Sequence, residues 1–190
     1  MSTSKNVTLS QDQLQAEWLE VQAAQQNPAD FRVLYSRYYA PIFRFLYNRL
    51  LDEETTGDLC AQVFLKAIQN LSKYSFQGVP FSAWLYRIAT NELNGYYRQT
   101  QKKRVIALED YHTSALQNED DGKEVLELNI EALQKVIHKL DADDVMLLEL
   151  RFFEKRSFRE VGEILDMTEN NAKVRLYRLL DKMRKLFSSP

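Results

Sequence analysis

The sequence predicts an all-α protein: two small helical domains joined by a flexible acidic linker, the second a helix-turn-helix. Three observations carry this. Apolar residues recur at three- and four-residue spacing along most of the chain, and no run reads as a strand. Only five glycines and four prolines interrupt 190 residues. The periodicity lapses once, between Val105 and about Gly122, where acidic and small polar residues dominate.

The expected layout is an N-terminal extension over residues 1–27, a first domain over 28–104, a linker over 105–123 and a second domain over 124–190. Residues 1 to about 12 are polar. A helix follows from Asp12 to Ala24, with Leu14, Trp18, Val21 and Gln25 on one face, and Asn27-Pro28 ends it. Asp30 is placed to cap the next helix, which carries Phe31, Leu34, Tyr35 and Tyr38. Pro41 opens or kinks another, carrying Ile42, Phe43, Leu46, Tyr47 and Leu50. Acidic residues from Asp52 to Asp58 suit a helix start. That helix runs to about Leu71 with Leu59, Val63, Phe64 and Ala67 at helical spacing. Ser72 to Pro80 is a loop.

Phe81 to Arg104 then reads as one long helix with two contrasting arcs. Leu85, Ile88, Ala89, Leu93 and Tyr96 form an apolar arc. Trp84, Arg87, Asn91, Asn94 and Arg98 lie opposite. An indole, guanidinium groups and carboxamides can stack on bases, pair with phosphates and read base edges. A solvated polar face has the same pattern, so the rest of the chain must decide.

Beyond the linker a helix resumes near Lys123, and Asp141 to Asp144 starts another with Val145, Leu148 and Phe152. Two helices follow in close succession, Ser157 to Leu165 and Thr168 to about Phe187. Phe158, Val161, Ile164 and Leu165 face inward on the first. Gly162 suits a close crossing of the two, Asp166 tolerates a left-handed turn and Thr168 caps the second. Ala172, Leu176, Leu179, Leu180 and Met183 face inward there. Lys173, Tyr177 and Arg178 face outward with Val174 beside them, an arrangement suited to the DNA major groove.

Net charge is −2, but the charge is segregated. Arg98, Lys102, Lys103 and Arg104 form one basic patch. Lys173, Arg175, Arg178, Lys182, Arg184 and Lys185 form another, with acidic residues between them. Cys60 lies in an apolar helical pattern and reads as a structural thiol. His112 and His138 stand apart from each other and from any cysteine cluster, so neither a metal nor another cofactor is implied. The N-terminus lacks a basic-then-apolar leader and no apolar run has transmembrane length, which predicts a cytoplasmic protein without membrane insertion.

With FSAWLYRIATNELNGYYR and the helix-turn-helix in this order, the chain resembles a bacterial RNA polymerase sigma factor of the extracytoplasmic-function (ECF) type. The resemblance covers roughly Phe31 to Arg104 and Leu140 to Phe187. It implies a non-enzymatic protein that binds core polymerase and directs initiation by reading −35 and −10 promoter elements and helping to melt the DNA. In the −10 region it implies Tyr74 and Phe76 as stacking partners for a flipped base and Asn91 as a base reader. Trp84 and Asn94 join that face, and Arg87, Arg98, Lys102, Lys103 and Arg104 hold phosphates. At the −35 element it implies Lys173, Val174, Arg175, Tyr177, Arg178 and Lys182. Core-polymerase contacts fall on Asp58, Gln62, Phe64 and Lys66, although Ala61-Gln62 stands where the family pattern has Gln then Glu. Phe64 suits core packing equally well. The implied partners are core polymerase (its β′ clamp helices and β flap), promoter DNA and an anti-sigma factor. A stand-alone helix-turn-helix regulator with an N-terminal sensor or interaction domain is the competing reading.

Overall fold

The computed structural model describes residues 9–100 and 140–188. Lys102, Lys103, Arg104, the expected linker and the helix from Lys123 lie outside the described residues. The described residues fall into two compact units, residues 9–100 and residues 140–188. Among the described residues every regular element is helical, and no helix is long and apolar enough to cross a membrane.

The N-terminal unit holds α1 (Gln11–Gln26), α2 (Phe31–Leu50), α3 (Glu53–Asn70) and α4 (Phe81–Thr100). Ser10 and Gln13 close a reciprocal capping box that starts α1. Asp30 does not cap α2 as expected, because its backbone is already helical in the short turn Pro28–Asp30. An N-cap needs extended backbone to swing its side chain over the free amides. The Asn27 side chain has that geometry and accepts from the Ala29 N–H instead.

Pro41 does not open a new helix; α2 runs through it. A proline inside a helix costs about 3 kcal/mol. Leu34, Ile42, Phe45 and Leu46 are fully buried on both sides of it, and burying each contributes roughly 1.5–3 kcal/mol. Asp52 caps α3 by accepting from the Thr55 N–H at 2.8 Å. Cys60, Val63 and Ala67 of α3 meet Leu85, Ala89 and Leu93 of α4 in the same core. Burial pushes the Cys60 thiol up to about 11, as expected of a packed thiol.

α4 is turned slightly from the expected arc. Tyr86 and Thr90 are buried, while Ile88 and Tyr96 are half-buried. The cause is a second neighbour: α4 packs on α2 as well as α3, and the Tyr86 ring meets the Phe45 ring edge-on at 4.8 Å. Glu92, which the amphipathic pattern leaves without a reason, forms a 2.6 Å ion pair with Lys66 of α3.

The C-terminal unit holds α5 (Ala142–Leu148), α6 (Phe158–Leu165) and α7 (Glu169–Ser188). Asp141 caps α5, accepting from the amides of Asp143 and Asp144. α5 passes into one wide π turn, Glu149–Phe153, closed by the Glu154 N–H on the Glu149 carbonyl. Ser157 and Glu160 form a capping box for α6. Asp166 takes the left-handed conformation (φ 58°) that turns the chain into α7, and Thr168 accepts from the Asn171 N–H. Gly162 is required by approach, not by backbone angle: a Cβ there would sit 2.7 Å from the Met167 carbonyl oxygen. Ala172, Leu176, Leu179 and Met183 are buried and Leu180 half-buried, the inward face expected of the second helix.

Candidate nucleic-acid interface

In the N-terminal unit, α3, α4 and the loop between them enclose an open cavity of about 340 Å³. Its lining joins Tyr74, Trp84, Ile88 and Asn91 to Lys66, Asn70, Lys73 and Glu92. Asn91 is exposed and Trp84 half-buried. The site thus combines aromatic rings, a carboxamide able to donate and accept, and two ammonium groups. Such a set can stack a planar heterocycle, read its edge and hold a nearby phosphate.

Tyr74 is less available than expected. Its side chain is buried, the ring lying 4.8 Å from Trp84, 5.3 Å from Phe81 and 6.1 Å from Trp18. Phe76 is half-buried and stacks one face on Trp18 at 5.9 Å. Arg87 and Asn94 are half-buried and Arg98 is exposed, all on α4.

Of the four residues expected at the polymerase surface, Asp58 and Gln62 are exposed on α3. Phe64 is buried at 4% exposure, with Phe31, Tyr35 and Tyr39 around its ring. It serves the core, and supports an exposed surface made by Tyr35 and Tyr39. The Lys66 ammonium is shared with Glu92.

In the C-terminal unit Lys173, Val174, Tyr177, Arg178 and Lys182 are exposed together on α7. Arg175 differs. Its guanidinium donates to Asp144 at 2.9 Å and reaches Asp141 at 3.5 Å, so it ties α7 to the start of α5. The α5 amides above all, helped by Arg175, hold the Asp141 carboxyl below its usual range.

Sequence reasoning missed Asn70, Lys73, Glu17 and Gln25. The first two flank the loop on the cavity side. Glu17 and Gln25 act on that loop from α1. Pro80 gave the one local hint for Glu17, since a proline before a helix has no side-chain oxygen to cap it.

A helical unit with an aromatic, amide-bearing cavity and a separate helix-turn-helix with a basic outward face suit a two-part nucleic-acid-binding protein. Residues 34–103 match sigma-70 region 2 and residues 130–183 match sigma-70 region 4. The ECF sigma factor BldN of Streptomyces coelicolor is 26% identical over 168 residues, 87% of this chain and 64% of that relative. The sigma factor YlaC of Bacillus subtilis is 28% identical over 155 residues, 80% of this chain and 88% of the relative. The solved structure of CnrH with the cytosolic domain of CnrY has the same fold, with a TM-score of 0.60, 19% identity and coverage of 92% of this chain and 98% of that one. So does a sigma factor from Bartonella quintana, solved with the anti-sigma factor NepR, at a TM-score of 0.54, 18% identity and coverage of 84% and 98%. The chain belongs to the sigma-70 family and is an ECF-type sigma factor. As a sigma factor it works with core RNA polymerase on promoter DNA and is not an enzyme.

Proposed function

We propose that the two units read two separate promoter elements: the N-terminal unit takes a base out of the −10 element into the α3–α4 cavity, and α7 lies in the major groove of the −35 element. Residues 28–104 and 124–190 are then the reading domains, joined through 105–123. The cavity's lining is the observation that carries this. Trp84 and the edge of Tyr74 offer apolar contact, Asn91 offers a donor and an acceptor to one base edge, and Lys73 stands at the rim for phosphate. Stacking contributes roughly 1–3 kcal/mol per base, which offsets the few kcal/mol needed to unpair and unstack it.

Phe76 adds its outer face, Asn94 extends the α4 reading face, and Arg87 and Arg98 supply phosphate contacts that raise affinity without choosing sequence. At the −35 element Lys173, Tyr177 and Arg178 carry the base and backbone contacts, with Val174 and Lys182 at their sides. Arg175 acts mainly from behind, through Asp144. Asp58 and Gln62 meet the β′ clamp helices, backed by the aromatic surface over Phe64, and the C-terminal unit meets the β flap. An anti-sigma factor is the regulatory partner, by analogy with the Bartonella relative solved with one.

Transcription in vitro with sigma-free core polymerase and a promoter library tests this reading. New start sites dependent on the protein are expected. A protein that neither yields start sites nor co-purifies with core enzyme would overturn it. On a recovered promoter, Asn91→Ala should slow open-complex formation about 10-fold, consistent with losing one bidentate base contact of ~1–3 kcal/mol. Binding to −35 duplex should be unchanged.

A further inference from the structure

α1 lies before the stretch that matches the family, yet it holds the cavity loop at three points. The Gln25 side-chain amide donates to the Leu71 and Tyr74 carbonyls, both at 2.8 Å, fixing where the loop begins. Trp18 stacks on Phe76 in its middle. At its end the Glu17 carboxylate accepts from the Phe81 N–H at 2.6 Å. Phe81 opens α4, whose preceding residue is Pro80, so no side chain at that position can cap the helix. The cap comes instead from a residue 64 positions away. A carboxylate is well suited to it, because negative charge is favoured at the N-terminal pole of a helix.

Glu17 is only 5% exposed. Its other oxygen accepts from the Tyr38 hydroxyl, and the Arg37 guanidinium lies 3.6 Å away, itself held more closely by Glu20 at 2.6 Å. Burial, with Glu17 adjacent, raises the Tyr38 phenol above its usual range and keeps its proton in place for this bond. The carboxylate therefore has one orientation, set by Tyr38 on α2, and it passes that orientation to the first turn of α4. Trp84 lies three residues into that turn and Asn91 two turns further.

We propose that Glu17 is a positioning residue for promoter opening: by capping α4 from α1, while Gln25 and Trp18 hold the loop, it sets where Trp84 and Asn91 of α4 stand relative to the loop and α3 around the cavity that receives the base. This rests on the reading of the cavity as a −10 base site. Glu17 makes no contact with DNA in this scheme and acts only through the helix it caps.

The test uses holoenzyme assembled from core polymerase and full-length chain, on a promoter recovered by in vitro transcription and carrying 2-aminopurine in its −10 element. Glu17→Leu removes the acceptor, whereas Glu17→Gln retains an oxygen for the Phe81 N–H. The Leu variant should assemble with core and bind −35 duplex within about 2-fold of wild type, but gain 2-aminopurine fluorescence about 10-fold more slowly. The Gln variant should recover to within about 3-fold of wild type. Wild-type opening by Glu17→Leu, parallel loss of core binding and opening, or a Gln variant as slow as the Leu variant would each overturn the proposal. Asn91→Ala separates the two layers. If it is slow while Glu17→Leu is normal, only the positioning role fails. If Asn91→Ala itself opens normally, the cavity reading fails and the positioning role falls with it.

Discussion

A methyl group at position 162 would have to displace the backbone of the helix-turn-helix turn, since its carbon would lie 2.7 Å from the Met167 carbonyl oxygen and 3.2 Å from the Glu169 nitrogen. Neither atom is the free end of a side chain. Alanine gains about 1 kcal/mol of helix propensity over glycine, but overpacking against fixed atoms costs typically 1–3 kcal/mol. Gly162→Ala should therefore destabilise the C-terminal unit by about 1–2 kcal/mol. Faster amide exchange in α6 and α7, with unchanged exchange in α2 and α3, is the expected record; unaltered exchange in α6 would count against the close approach. Asp141 offers a second residue-scale test. Its carboxyl is held below the usual range by the α5 amides, with Arg175 assisting. A lowered folded-state pKa means stability that is present above the unfolded value of about 3.9 and fades as pH falls through it. Asp141→Asn keeps a cap oxygen and removes the charge. Its melting temperature should fall below wild type at about pH 6, and the difference should shrink as pH falls from the unfolded value through the lowered folded one.

At the scale of elements, α7 carries two kinds of cation that look alike in sequence. Lys173 is free on the outward face, while Arg175 bonds Asp144 across the unit. Lys173→Ala should weaken −35 duplex binding and lower its salt slope by about 1, leaving melting unchanged. Arg175→Ala should do the reverse, lowering the melting temperature of the C-terminal unit. It leaves a mostly buried carboxylate without its partner, though Arg175 is 37% exposed and solvent screening keeps the loss near 1 kcal/mol. Equal effects on binding and melting from both variants would show that the division is wrong. The same contrast explains what could be read in the chain. The helices, the Thr168 cap and the left-handed Asp166 follow from spacing and local backbone preference, which act over a few residues. The passage of α2 through Pro41 does not, because the local rule registers the lost N–H and not the burial that outweighs it. The π turn after Leu148 has no local signature. The partners of Glu17 at Phe81 and of Lys66 at Glu92 lie 64 and 26 residues away, beyond any periodicity. Tyr74 was legible as aromatic but not as covered, since its cover comes from Trp84 and Phe81 of α4 and Trp18 of α1; for Phe64, core packing was one of two readings, and the rings of α2 decide for it.

At the scale of the whole molecule, the two proposed reading faces belong to separate compact units and share no residue. Sites with no shared partner contribute additively to within about 0.5 kcal/mol. The free energies lost by Asn91→Ala and Arg178→Ala should then sum in initiation from a fully duplex promoter. If each alone reduces the rate about 10-fold, equivalent to ~1.4 kcal/mol, the double variant should be slower by about 100-fold, within a factor of about 2. The sum should hold even though the defects arise at different steps, with Arg178→Ala weakening initial binding and Asn91→Ala slowing opening. Raising the holoenzyme concentration separates them. Saturating protein should restore Arg178→Ala close to wild type, because lost affinity yields to mass action. It should leave Asn91→Ala slow, because a step after binding does not. A double variant no slower than either single one, or an Asn91→Ala defect cured by concentration, would place both faces in one binding event and remove the separation of labour between the units.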